Sequence, residues 1–330
     1  MTIDILRSQL ETYLQLRQSL GFKNTTVLRN ALRDFIAYWA RQGQQDPIRA
    51  ATAVNWAREA CLHCYRSGPA YKLRFLRGFL TYLKAFEPET EIPSTRLVVE
   101  PRRPRAHLYT PEQIAQMMEA TQPWFWEAGS FRQKTYRTIL GLLASTGLRV
   151  GEALRLTLPQ AHLDEDPPHL EIRDTKFYKS RLVPLHPTTA AKLREYRSDR
   201  QQHVQLRRLA KAPAVTTFFI NDQGRPVLYN RVRKAMLQAQ HHAGISKEEG
   251  PGSQGPALHA LRHTFAVQRL ITWYRSGVDV RAQLPHLSVY LGHLGMMETY
   301  RYLSATPELL TIVGEMFRRY AGAGGHHERH

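Results

Sequence analysis

Two arginines, a lysine, two histidines and a tyrosine stand out in the sequence, in short segments whose spacing suits chemistry at a phosphodiester. Arg149 follows Thr146, Gly147 and Leu148 and precedes Val150, Gly151 and Glu152. A guanidinium thus sits where glycine breaks a helix, with a carboxylate one turn later. Lys176 and Lys179 fall between two strand-like runs, at the tip of a hairpin. His259 and Arg262 are three apart, so a helix puts them on one face. Nine residues after His293 of the Leu291, Gly292, His293 segment comes Tyr302, with Tyr300 two positions before it. Guanidinium forks grip non-bridging phosphate oxygens in pairs and stabilise charge that grows in the transition state. A phenol with a pKa near 10 needs a base or a positive field to become a nucleophile. A lysine or histidine supplies the proton that the leaving oxygen requires. Metal-dependent phosphoryl transfer usually gathers several carboxylates, whereas Glu152 stands alone. The set therefore reads as side-chain transesterification. Tyr300 and Tyr302 lie about 200° apart around a helix, so only one faces a given phosphate. The residue types alone leave that choice open, as they do between Lys176 and Lys179.

In this order the segments resemble the tyrosine recombinase family, which includes phage integrases and Xer-like enzymes. The likeness is sharp from about residue 107 to about 305; the N-terminal helices match only in size and type. The resemblance implies that Arg149 and Arg262 clamp the phosphate and that Glu152 buttresses the site. It implies that Lys176, eight residues before Pro184, protonates the 5′-oxygen, leaving Lys179 to the DNA backbone. His259 would assist proton transfer, His293 would hydrogen-bond the phosphate, and His263 would be structural. Tyr302 becomes the nucleophile that forms a 3′-phosphotyrosyl link, and Tyr300 a packing residue. The family's architecture is mainly α: an N-terminal helical core-binding domain and a mostly α-helical catalytic domain with a small antiparallel β-sheet. Its members act as a homotetramer on two double-stranded DNA sites, exchange strands through a Holliday junction and need no cofactor or metal. The 31-residue step from Arg262 to His293 is reminiscent of members carried by mobile elements.

Periodicity supplies the elements that must position these groups. Apolar residues at three- and four-residue steps predict helices over 5–20, 25–42, 52–65 and 70–86. The last carries Lys72, Arg74, Arg77 and Lys84 on its other face, a pattern that suits phosphate contact. Pro88, Pro93, Pro101 and Pro104, mixed with arginines, read as a basic linker over 88–106 between a DNA-binding domain at 1–87 and a catalytic domain at 107–320. Within the second domain, helices are expected from 110, over 133–145, 151–158 and 187–209, and through most of 231–320. Strands are expected over 169–173, 180–185 and 215–220. An amphipathic helix over 307–320 suits docking into a neighbouring protomer or onto its own domain. The Gly- and His-rich tail, 321–330, reads as disordered, and its histidines receive no function.

Bulk properties agree. At 330 residues with 42% hydrophobic side chains the chain can fold as two domains. Its net charge of +18, spread over both halves, attracts polyanions. Cys61 and Cys64 have no second pair to complete a zinc site, and they point to buried thiols in a reducing, cytoplasmic setting. No signal peptide or membrane span is expected. Charge alone also fits a non-catalytic regulatory or architectural DNA-binding protein, and the chemistry alone fits a type IB topoisomerase-like relaxing enzyme. Neither the DNA target, the direction of recombination nor the need for accessory proteins is written in these residues.

Overall fold

The computed structural model separates into two compact units, residues 1–103 and 104–330. It describes residues 2–22, 26–43, 47–61, 68–97, 107–119, 129–173, 180–207, 216–245 and 257–303, with residues 311, 314, 315 and 318 beyond them. The predicted hairpin tip with Lys176 and Lys179 lies outside the described residues, as do Cys64, nearly all of the predicted helix over 307–320 and the tail.

The N-terminal unit is built from α1 (Ile3–Ser19), α2 (Thr26–Arg41), α3 (Ala50–Glu59) and α4 (Gly68–Leu83). Each presents the stripe its periodicity demands. Leu6, Leu10 and Leu14 of α1 meet Leu32, Phe35 and Trp39 of α2, Trp56 of α3, and Leu73, Leu76, Phe79 and Leu80 of α4 in one core. Burying each such side chain contributes about 1.5–3 kcal/mol. Helix α3 stops at Glu59, short of the predicted 65, and Cys61 just beyond it is buried. Part of the basic face of α4 serves this unit itself. Lys72 donates to Asp34 at 3.4 Å and to the Ala60 carbonyl at 3.2 Å, and lies over the Trp56 ring. Arg77 donates to the Pro93 and Ser94 carbonyls at 2.8 and 3.0 Å. Glu91 accepts from the Arg49 guanidinium and the Ala50 N–H, so residues 87–97 are fastened to these helices instead of trailing from them.

The C-terminal unit centres on α6 (Phe131–Thr146), which packs against α5 (Pro111–Glu119), α7 (Val150–Arg155), α8 (Pro187–Leu206), α9 (Tyr229–His242) and α10 (Leu258–Arg275). Thr110 and Gln113 cap α5 reciprocally, and Ser130 caps α6. Strands β1 (Ala161–His162), β2 (His169–Ile172) and β3 (Arg181–Pro184) form an antiparallel sheet in that order. Leu170 pairs with Val183, and both turn inward. Helices α11 (Val280–Leu291) and α12 (Met296–Leu303) close the unit against α10. No described helix is long and apolar enough to cross a membrane.

The predicted strand over 215–220 is not one. Its described residues make only isolated bridges, from Thr217 to Thr157 and from Ile220 to Pro226. Phe218, Phe219 and Ile220 are all fully buried, which an alternating, half-exposed strand forbids. Their backbone groups are satisfied elsewhere: the Phe218 N–H by the Leu156 carbonyl and the Ile220 N–H by the Tyr196 hydroxyl.

Phe79 is fully buried with its ring 5.4 Å from that of Tyr13. Replacing it by alanine is expected to lower unfolding stability by about 3–5 kcal/mol in urea titrations. A loss below about 1 kcal/mol contradicts the packing described.

Candidate active site

Gly147 ends α6 in a left-handed turn (φ 62°) that only a residue without a side chain fits, since a Cβ would meet Phe265 Cδ1 at 2.6 Å. The turn sets Arg149 at the N-terminus of α7. There its backbone N–H donates to Glu152 Oε2 at 3.0 Å, its Nη1 to Glu152 Oε1 at 2.8 Å and its Nη2 to the Gly292 carbonyl at 2.9 Å. Arg262, only 2% exposed on α10, donates to the Gly147 carbonyl at 2.8 Å and the Leu291 carbonyl at 2.6 Å. A third arginine completes the arrangement. Arg181 on β3 donates from Nε to the Tyr290 carbonyl at 2.7 Å, and its two terminal nitrogens reach Glu152 at 2.9 and 3.2 Å.

Three guanidiniums therefore hold three successive carbonyls, those of residues 290, 291 and 292, at the C-terminal end of α11. A helix leaves these oxygens without backbone partners and concentrates negative potential there, so cations are favoured. Gly292 turns the chain (φ 67°), and a Cβ there would meet Arg181 Nη1 at 2.7 Å. His293 follows at once, its Nδ1 2.7 Å from the hydroxyl of fully buried Thr299. On α12, the Tyr302 ring lies 5.9 Å from the His293 ring and nearly parallel to it, and 5.4 Å from the His263 ring. The His263 ring in turn abuts that of His259 at 4.7 Å. Tyr302 is 5% exposed, whereas Tyr300 is 46% exposed.

The charges follow from these contacts. Burial pushes the Glu152 carboxyl up, but hydrogen bonds and charge from Arg181, then Arg149, outweigh it and leave the group below its usual range. Loss of hydration and the nearby charge of Arg149 bring Arg262 down to about 10, still a cation at neutral pH. Solvent reaches His259, yet the protein crowded round it, then His263, Arg262 and Arg149, hold its imidazole down at about 4. Burial and the positive charges of Arg262 and Arg149 hold His293 at about 3. The Tyr302 phenol is raised by burial, partly offset by the charge and hydrogen bonding of Arg262. Neutral imidazoles, a protonated phenol and three guanidiniums against one carboxylate leave the cluster with a net positive charge.

Of the residues singled out by sequence, Arg149, His259, Arg262, His293 and Tyr302 gather here, together with Glu152; Lys176 lies outside the described residues. Arg181, Thr299 and His263 were not anticipated in the cluster. Alternation in β3 offered a signal for Arg181, because the inward-facing Val183 is two residues on. His263 shares a helix face with His259, one turn earlier.

Residues 108–308 match the phage integrase family. The chain is 35% identical over 314 residues to a Sinorhizobium fredii (strain NBRC 101917 / NGR234) protein named as an integrase/recombinase, y4rB, covering 92% of this chain and 94% of that one. Among solved structures it is similar to the XerH site-specific recombinase bound to palindromic difH substrate in a post-cleavage complex. That match has a TM-score of 0.63 at 17% identity, over 87% of this chain and 78% of the other. It is similar also to a lambda integrase tetramer bound to a Holliday junction, with a TM-score of 0.59 at 16% identity, over 90% and 76% of the two chains.

The depressed histidines make stability depend on pH in a definite direction. Below about pH 6.5 the unfolded chain takes up protons that folded His293 and His259 refuse, so stability falls as pH drops from there towards 4 to 3. Glu152 adds a further loss as its lowered carboxyl titrates. Urea midpoints should fall between pH 7.5 and 5, and His293→Gln should flatten the slope; a flat parent profile refutes this account. Arg181→Ala leaves the buried Glu152 with one guanidinium and is expected to cost about 3–5 kcal/mol in the same assay.

Proposed function

The chain belongs to the phage integrase family of tyrosine recombinases, and from that membership we propose how this site carries out site-specific DNA recombination. The scissile phosphate enters between Arg149 and Arg262, its non-bridging oxygens taking over guanidinium hydrogens now given to the Gly292 and Leu291 carbonyls. Its negative charge offsets the positive field around His259 and His293 and raises their affinity for a proton. The Tyr302 phenol attacks phosphorus, and His259 helps carry off its proton. A bond forms from the phenolic oxygen to phosphorus as the bond to the 5′-oxygen breaks. Lys176 protonates that oxygen, leaving a 3′-phosphotyrosyl link and a free 5′-hydroxyl. A 5′-hydroxyl from the partner strand attacks the link in turn, so bond energy is conserved and strands exchange through a Holliday junction. Arg181 positions the site through Glu152 and the end of α11, and His263 steadies the phenol ring. The N-terminal unit acts as the core-binding domain on double-stranded DNA, and four protomers assemble on two sites.

One observation carries this reading: of the two tyrosines on α12, Tyr302 is the buried one, its ring against His263 and His293 and its phenol under the charge of Arg262. DNA recovered covalently attached to the protein gives the target sequence, from which a duplex nicked beside the cleavage position is made. The parent should form an adduct resistant to denaturant. Tyr302→Phe should form none while still binding the duplex, and Tyr300→Phe should form it as the parent does. Arg262→Ala should slow cleavage by about 10²–10³. An adduct that survives Tyr302→Phe overturns the assignment. Failure of the parent to form one favours a non-catalytic DNA-binding protein, and relaxation of plasmids without any specific site favours a topoisomerase-like activity.

A further inference from the structure

A second cluster of chemistry-bearing side chains lies on the small sheet and takes no part in the reaction above. His162 of β1 and His169 of β2 are direct partners in the antiparallel register. Their imidazoles stack with centroids 4.7 Å apart and planes 12° from parallel. The connection between the strands carries Glu165, whose Oε1 is 2.7 Å from His162 Nδ1 and whose Oε2 is 3.8 Å from His169 Nε2. Ligand-capable atoms of all three residues lie within 4.8 Å of one another.

We propose that His162, Glu165 and His169 form a structural binding site for a divalent transition metal, with Zn²⁺ the best match. Two imidazole nitrogens and one carboxylate oxygen are the donor types zinc takes, with water completing a tetrahedron. The tautomer of His169 is already set for the task. Its Nδ1 lies 3.0 Å from the Pro167 carbonyl, which can only accept, so Nδ1 carries the hydrogen and Nε2 offers its lone pair beside Glu165. Metal-bound histidines usually have their other nitrogen fixed by such a carbonyl. The side chains of both histidines are largely shielded, at 29% and 18% exposure, while that of Glu165 is 58% exposed and has room to turn. Zinc–nitrogen distances of about 2.0–2.1 Å put tetrahedral ligand atoms about 3.4 Å apart. The 3.8 Å contact of Glu165 with His169 is near that spacing, while the 2.7 Å contact is a hydrogen bond from His162 Nδ1 whose hydrogen zinc displaces on binding. Glu171 lies at the margin, with Oε2 4.0 Å from His162 Nε2 and both oxygens held by Arg173 at 2.6 and 2.7 Å. It is the source of a fourth ligand only if that pair opens.

A metal here joins β1 to β2 across the turn and stiffens the sheet whose third strand bears Arg181. Zinc binding is measured by competition with a chromophoric chelator, using the full chain with His326→Ala, His327→Ala and His330→Ala so that the tail cannot contribute. One equivalent is expected, with a dissociation constant in the micromolar range or below. His162→Ala and His169→Ala should each weaken it at least 30-fold, and Glu165→Gln about tenfold. Zinc should raise the melting temperature of the tail-substituted protein but not that of its His162→Ala derivative. Melting curves of the variants without zinc establish that they fold, and should any fail, Glu165→Gln on the surface turn stands as the deciding variant. Loss of zinc binding on tail substitution alone, or unchanged affinity in these variants, overturns the proposal.

Discussion

Three guanidiniums converging on one place repel each other, and the rest of the catalytic unit is arranged to make that tolerable. Glu152 offsets part of the charge by serving Arg149 and Arg181 together. The carbonyl end of α11 offsets a further part, one oxygen to each arginine. Neither would suffice alone. A single carboxylate cannot balance three cations, and helix-end carbonyls are only partial charges. Elements far apart in sequence are thereby tied together: α7 at residue 149, β3 at 181, α10 at 262 and the end of α11 at 290–292. The packing of α6 against α7 and α10 holds two of these anchors in register.

This arrangement also explains which histidines stay neutral. Imidazoles placed beside fixed guanidiniums lose their protons readily, and hydration that would help keep them is reduced. The same field opposes the penalty of burying a phenol. One set of charges therefore lowers the bases and restrains the rise of the acid, and on its own leaves proton transfer a wide gap to cross.

Much of this was legible in the sequence, for reasons that differ by residue. Helices α1, α2 and α4 lie close to where apolar spacing puts them, because each buries one continuous stripe. The β2–β3 hairpin was visible as two short runs, and its alternation held. Arg149, Arg262 and Tyr302 sit in local motifs, and a motif is legible when its neighbours in sequence are also its neighbours in space. Arg181 was missed because its partners, Glu152 and the Tyr290 carbonyl, are 29 and 109 residues away. His263 reads as structural in the sequence, one residue and about 100° around the helix from Arg262; its ring nevertheless reaches Tyr302 from that side. The run at 215–220 reads as a strand because β-branched and aromatic residues are common to strands and to buried crossings alike. In the N-terminal unit, Lys72 and Arg77 read as part of a face suited to phosphate contact, and each also donates two hydrogen bonds within its own unit.

The two glycine turns have an implication for how the chain can drift through mutation. At Gly21 and Gly43 the backbone is left-handed too, but nothing lies within 4 Å of where a side chain would begin, so asparagine or aspartate fit with little penalty. Gly147 and Gly292 have Phe265 and Arg181 in that space. Backbone strain and collision act together there, and no standard residue escapes both. Substitution at the outer turns therefore disturbs little, whereas at Gly147 or Gly292 it displaces the backbone and side chains that fix Arg262, Arg149 and Arg181 to one another.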